Sequence, residues 1–315
     1  MMMPPRRVRM AGHCLMLASC DGVLLFKKDQ GLYLLCNPVT RRWAELPRLA
    51  DEIYHAVHDV EYAFYHHHPS GEYRLLCGCR TWSGSGGDRA WAWCVLSTGA
   101  AEPRRVDHTD VEAAAGLFVP CLRSATSQPA ALHGRLHWPP YRDVFKGPTT
   151  VTTTMVTFDT VSETFRSMTG PPSSSALVKL FVMDGNKIVV ADFGKGNRLI
   201  DLWVLEDYYY GAHQRWERRH QVAMPWGWSM SSENPSYLLS VAALADDQGN
   251  VMLGNHDYGL VVYNVRRKTA RRVNTVATPH NNVLMSRHVF RESLVQLPCF
   301  KVPTTADMPL IHFWN

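Results

Sequence analysis

Ser19-Cys20-Asp21-Gly22-Val23-Leu24-Leu25-Phe26, then Lys27 to Gly31, then Leu32-Tyr33-Leu34-Leu35-Cys36, then Asn37-Pro38-Val39-Thr40-Arg41-Arg42-Trp43-Ala44-Glu45-Leu46-Pro47: this stretch decides the fold. Two short apolar runs are separated by polar turn residues, and a third run opens with two basic residues and a tryptophan. Runs of this length, bounded by Asp-Gly and Asn-Pro, read as strands of a meander. Gly22 supplies the positive φ that a tight hairpin requires, and Pro38 presets a turn by fixing its own φ.

The same grammar recurs down the chain. Tyr73–Cys77 and Trp91–Leu96 are followed by Arg104-Arg105-Val106. Gly134–Trp138 and Met155–Thr160 are followed by Glu163–Arg166. Asp184–Val190 and Asp201–Glu206 are followed by Gln214–Glu217. Asp247–Leu253 and Gly259–Asn264 are followed by Ala270–Val273. A partial sixth unit, Val289–Pro298, ends the pattern. The polar residue closing each penultimate strand falls at 37, 97, 159, 206 and 264, giving intervals of 60, 62, 47 and 58 residues. Each interval is one meander long, and a helical solenoid would repeat faster and with a helical period. Asp184-Gly185 and Gln248-Gly249-Asn250 are further expected sites of positive φ.

A single four-stranded meander cannot bury two apolar faces. Sheets packed face to face around an axis can, and they leave only short edges. The expected fold is therefore all-β: a β-propeller of about six four-stranded blades. Ring closure is expected between the last unit and His13–Ala18 or Arg6–Met10. The expected boundaries are a tail at 1–10, the propeller at 11–303 and a second tail at 304–315.

Composition agrees. Hydrophobic residues make up 46% and charged residues 19% of the 315, which suits a packed core rather than a disordered chain. The formal net charge of +5 is a mild excess, below the clustered charge of a dedicated nucleic-acid binder. No window reaches the ~18 apolar residues of a membrane span, and no apolar stretch of signal-peptide length follows the basic N-terminus. Most of the eight cysteines sit within apolar runs, as buried thiols do, and point to a reducing compartment. The expected location is cytoplasmic or nuclear.

Ser19-Cys20-Asp21-Gly22-Val23-Leu24-Leu25, followed in order by Asn37-Pro38-Val39-Thr40-Arg41-Arg42-Trp43-Ala44-Glu45-Leu46-Pro47, resembles the opening of plant F-box-associated domains. There an S-x-D-G-L-L strand leads into N-P-x-T-x-x-W-x-x-L-P. The resemblance is strongest over residues 19–47 and extends through the repeat to about residue 298. It implies a propeller that captures a substrate protein, with a preceding helical F-box handing that protein to a cullin-type ubiquitin ligase. Fewer residues precede Ser19 than an F-box requires. A Skp-type adaptor is therefore an expected partner only if an F-box is supplied elsewhere. The alternative is an F-box-less interaction scaffold with no ligase role.

Catalytic patterns are weak by comparison. His55, His58, His66, His67 and His68 with Cys77 and Cys79 are the most metal-like neighbourhood, but no second complete ligand pair follows at zinc spacing. No Gly-x-Ser-x-Gly elbow is present, and Cys121 with His133 has no local support as a dyad. Ser83–Gly87 and Gly194–Asn197 are Gly-rich, yet neither opens a helix as a phosphate cradle must. No enzyme, cofactor or metal is expected. Arg266-Arg267-Lys268 with Arg271-Arg272 resembles a nucleic-acid stretch. Arg41-Arg42, Arg104-Arg105 and Arg215 with Arg218-Arg219 occupy the same slot in other units, so solvated outer-strand positions are the expected reading and RNA binding a minor one. A partner surface is expected in the long connections, at Trp82, Tyr141, Tyr208, Tyr209, Tyr210, Trp226 and Trp228, because exposed Trp and Tyr dominate interface energetics. Trp43, Trp203 and Trp216, within the repeat, are expected in the core.

Overall fold

The computed structural model describes residues 15–28, 32–49, 61–82, 89–106, 129–140, 154–172, 178–194, 198–208, 214–224, 241–255, 259–273, 290 and 292–301. Twenty strands, and no helix, occur among them. They form five four-stranded antiparallel sheets. The first sheet holds β1 (Leu15–Cys20), β2 (Val23–Lys28), β3 (Leu32–Asn37) and β4 (Arg42–Glu45). The second holds β5 (Glu61–His67), β6 (Glu72–Trp82), β7 (Arg89–Ser97) and β8 (Arg104–Arg105). The third comprises β9 (Ala130–Leu132), β10 (Arg135–Trp138), β11 (Thr154–Asp159) and β12 (Thr164–Thr169). The fourth comprises β13 (Val178–Met183), β14 (Lys187–Asp192), β15 (Leu199–Leu205) and β16 (Trp216–Ala223), and the fifth β17 (Ala242–Ala245), β18 (Asn250–Asn255), β19 (Gly259–Asn264) and β20 (Thr269–Val273). In every sheet the strands follow chain order, as a simple meander does.

Burial explains why the sequence reads this way. The middle strands are almost wholly buried: β2 over Val23–Phe26, β11 over Met155–Phe158, β14 over Ile188–Asp192. A strand covered on both faces shows a continuous apolar run rather than alternation. The last strands are open to solvent, β20 almost throughout and β16 over much of its length. Each sheet thus grades from apolar to charged, as a propeller blade does from axis to rim.

Contacts divide the chain into two compact units, Met1–Asp107 with His288–Asn315, and His108–Arg287. In the first, Val23, Leu25, Tyr33 and Leu35 pack with Phe64, Tyr73, Leu75, Cys77, Cys94 and Leu96, and Leu297 and Phe300 join them. In the second, Val189, Ile200 and Leu202 pack with Val251, Leu253 and Val261. Within each unit the first strands of successive sheets are neighbours, β1 with β5, β9 with β13, and β13 with β17.

The hairpin chemistry is consistent from sheet to sheet. Asp21 and Gly22, His133 and Gly134, and Asp184 and Gly185 all have positive φ at the turn between first and second strands. Gly249 also has positive φ, whereas its neighbours Gln248 and Asn250 do not. The five marker residues do close the third strands: Asn37, Ser97, Asp159 and Asn264 end them, and Glu206 follows the last residue of β15. After three of these markers comes a four-residue loop whose final residue is left-handed: Arg41 (φ 55°), Glu163 (φ 53°) and Lys268 (φ 54°).

The blade number is a correction. Six were expected, and the described residues hold five. The described residues of the expected partial sixth unit, Val289–Pro298, form no strand. The C-terminal segment runs along the first sheet, where Leu297 and Phe300 are buried and Leu294 and Gln296 are exposed. Lys301 makes one antiparallel bridge to Trp43 of β4, its N–H donating to the Trp43 carbonyl at 2.8 Å. The C-terminal residues thus meet the first sheet at β4, while Leu15–Ala18 belong to β1 at the opposite edge and pair with β2. His13 and Arg6–Met10 lie outside the described residues.

Trp43, Trp203 and Trp216 are half-buried rather than core. Each sits on a third or fourth strand, where the blade meets solvent. The buried tryptophans among the described residues are Trp93 and Trp138, the latter beside Phe165.

Candidate functional site

Of the expected partner residues, Tyr141, Tyr209, Tyr210, Trp226 and Trp228 lie outside the described residues, as do His55, His58, Ser83–Gly87 and Cys121. Trp82 is the last residue of β6. Tyr208 follows β15 and folds back onto the third sheet. Its ring packs against His133 at 5.1 Å and His137 at 5.5 Å, and its hydroxyl lies 2.9 Å from His137 Nε2.

The protonation pattern here follows from the partners. His137 is fully buried, and burial pushes its pKa down to about 4, so the ring is neutral. Its Nδ1 lies 3.1 Å from the Ala130 carbonyl, which only accepts, so Nδ1 carries the proton. Nε2 is then the acceptor and the Tyr208 hydroxyl donates to it. Sequence reading missed this anchor, because the two residues are 71 positions apart; the adjacent His137-Trp138 in a strand was its only signal.

A second arrangement joins the chain ends. Asn37 is fully buried, and its Oδ1 accepts from the N–H groups of Val39 (3.0 Å) and Thr40 (3.1 Å), capping the Asn-Pro turn. Its Nδ2 donates to the carbonyls of Ser293 (3.0 Å) and Val295 (3.2 Å). One side chain therefore shapes the turn and holds the C-terminal segment. Asp159 caps its own turn in the same way, through Val161 and Ser162. A carboxylate, which has no proton to donate, could not reproduce the second half of the Asn37 arrangement. Lys301 lies 5.0 Å over the Trp43 ring and completes the clasp.

The turn between β5 and β6 brings His67, Ser70, Glu72 and Arg74 together. Ser70 Oγ is 2.7 Å from His67 Nδ1 and donates to Glu72 Oε2 at 2.8 Å, while Arg74 pairs with the same carboxylate at 2.9 Å. Burial works to raise the Glu72 pKa, but the hydrogen bonds from Ser70 and Arg74 and the guanidinium charge outweigh it and hold the carboxyl below its usual range. A nucleophilic serine must give its proton to the imidazole. Here the hydroxyl proton is engaged by a neutralised carboxylate, and the group staples a turn.

The described thiols are poorly suited to nucleophilic chemistry. Burial and the neighbouring Asp21 charge push Cys20 up to about 12, and burial pushes Cys36 up to about 11. Cys94 and Cys299 also rise through burial. The thiolate is the reactive form, so these groups stay protonated at neutral pH. Among the described residues no three metal-type ligands converge. His66 instead packs against Tyr73 at 5.0 Å and His68 at 4.8 Å.

The outer strands carry the surface charge, unequally. On and beside β16, Arg215 pairs with Glu217, Arg218 with Asp201 at 3.3 Å, and Arg219 with Glu206 and Glu217 at 2.8 Å each. On β20 and the turn before it, Arg266 pairs with Asp184 at 3.2 Å. Arg267, Lys268, Arg271 and Arg272 are exposed and meet no carboxylate among the described residues.

Comparison with known proteins follows the same lines. The family described as "F-box associated beta propeller domain" matches residues 2–294. No curated protein matches the chain. Among solved structures, an oligogalacturonate lyase in complex with manganese aligns at 10% identity and TM-score 0.46, covering 80% of this chain and 62% of the lyase, so the chain spans less than two thirds of that protein. YCF48 from Cyanidioschyzon merolae aligns at 10% identity and TM-score 0.41, covering 87% of this chain and 89% of its own.

Proposed function

The chain belongs to the F-box associated beta propeller family, and from that membership we propose that it captures a substrate protein for a cullin-type ubiquitin ligase. The family match over residues 2–294 carries this reading, because it spans all five blades. The neutral, anchored His137 and the protonated thiols fit a scaffold for recognition better than a site of bond making. The partner surface we assign to the aromatic connections, Trp82, Tyr141, Tyr209, Tyr210, Trp226 and Trp228, with Tyr208 as the fixed root of one of them. Cys20, Cys36, Cys77, Cys94 and Cys299 carry thiols rather than disulfides, which fits residence in the cytosol or nucleus.

The test has two arms. Retention of a Skp-type adaptor by the purified chain supports the ligase link. No retention removes a direct link and favours the second reading, an interaction scaffold with no ligase role. Alanine substitution of Tyr209, Tyr210, Trp226 and Trp228 together is expected to strip specifically retained proteins from the bait. An unchanged set of retained proteins would rule out the aromatic surface.

A further inference from the structure

We propose that β20 is a docking edge for an acidic, extended peptide segment of a partner protein. This rests on reading the chain as a protein-binding propeller, and takes a strand edge rather than the aromatic connections as the contact.

Three observations carry it. First, β20 is the last strand of its sheet and pairs only with β19, so its far side has no strand partner among the described residues. A strand edge offers alternating N–H and C=O groups to an incoming strand. Second, Arg266 through Arg272 are all exposed, and four of the five cations in that run have no carboxylate partner among the described residues. The arginines of the neighbouring sheet's outer strand are each neutralised by Asp201, Glu206 or Glu217. Other outer edges carry one or two such cations, Arg41 and Arg42 at β4, Arg105 on β8 and Arg166 on β12, so the run of four is what sets β20 and its turn apart. Third, Arg271 and Arg272 are consecutive, opposite Val262 and Val261, so they project to opposite faces of the sheet. An added strand would have one guanidinium above it and one below, suited to adjacent acidic side chains.

A nucleic acid would be drawn by the same charge, but recognition of a single strand also uses exposed aromatic rings for base stacking. Among the described residues the aromatic groups beside the patch are engaged elsewhere: Tyr263 is buried, and His220 lies against it, 3.2 Å from Nδ1 to the Tyr263 hydroxyl. The geometry favours a peptide.

The experiment is fluorescence anisotropy with the full chain and a labelled Thr- and Glu-rich peptide carrying adjacent glutamates. Wild type is expected to bind, with affinity falling as salt rises. The double variant R271E and R272E is expected to weaken binding by at least about tenfold, or ~1.4 kcal/mol. Both side chains are exposed, so its thermal melt should match wild type. A peptide N-methylated at alternate residues, which keeps the charge but loses main-chain donors, should also bind more weakly. Absence of wild-type binding, or equal binding by the charge-reversed variant, overturns the proposal. Equal binding of the N-methylated peptide overturns strand addition, and tighter binding of oligouridine overturns the peptide assignment. An adaptor pull-down does not read this edge, so its failure and a failure here are distinguishable.

Discussion

Replacing Asn37 by alanine removes four hydrogen bonds at once, two that shape the Asn-Pro turn and two that hold Ser293 and Val295. A net value near 1 kcal/mol per bond, with some recovery by water at the turn, puts the loss at about 2–4 kcal/mol. Asp159→Ala is the internal control, because it removes two equivalent turn bonds and a 3.4 Å pair with Arg135 on the adjacent strand but holds no segment outside its own sheet; its cost should be about 1–2 kcal/mol. Urea unfolding followed by tryptophan fluorescence gives both values. Hydrogen exchange over residues 293–301 gives the local consequence, which should be loss of protection in the Asn37 variant alone. Asn37→Asp sharpens the comparison, since it keeps the one oxygen that accepts both turn bonds and turns a carboxylate toward two carbonyl oxygens. It should be nearly as destabilising as alanine at neutral pH and should recover partly once the acid is protonated. If Asn37→Ala costs no more than Asp159→Ala, or if residues 293–301 keep their protection, the latch does not exist as described.

Other expectations follow from named contacts. Gly78→Ala should destabilise by about 1–3 kcal/mol in thermal or urea melts, because a Cβ there would sit 2.5 Å from the Trp93 ring. Gly185→Ala, with nothing within 4 Å but a φ of +69°, should cost only about 1 kcal/mol of backbone strain. For His137 the folded pKa is depressed from 6.5 to about 4, so the unfolded chain binds the proton first and stability falls as pH drops from 6.5 towards 4. The full loss is roughly 3 kcal/mol, and His137→Phe should flatten that part of a stability-versus-pH curve; an unchanged slope would refute the assignment. Lys301→Ala should cost about 0.5 kcal/mol through the lost contact with the Trp43 ring, read as increased trimming of the C-terminus by carboxypeptidase.

Much of the fold was legible because blade chemistry is local. The markers at 37, 97, 159, 206 and 264 survive as strand ends because each closes a hairpin, and hairpin geometry depends on a few adjacent residues. The sixth unit misled for a physical reason. Val295, Leu297 and Phe300 face the first sheet's core while Leu294 and Gln296 face water. Any extended segment docked on one side shows that period of two, whether or not its backbone joins a ladder. The docking of the C-terminal segment through Asn37 was hidden for a similar reason, since its signal lay in the asparagine's amide donors, and these find partners 256 and 258 residues away. The tryptophans misled because hydrophobicity does not separate a blade's inner strands from its rim. Of the expected partner surface, Tyr208 became visible as an anchor only through His137, a contact that no local pattern encodes.

The grip of Asn37 on Ser293 and Val295 also sets a schedule for biosynthesis. The asparagine leaves the ribosome 256 residues ahead of its first partner, roughly 13–50 s earlier at ordinary translation speeds. Throughout that interval the nascent first sheet lacks the apolar cover later given by Leu297 and Phe300. Chaperone protection should therefore matter most during synthesis, and a premature stop codon near the 3′ end of the message should yield a product that never matures.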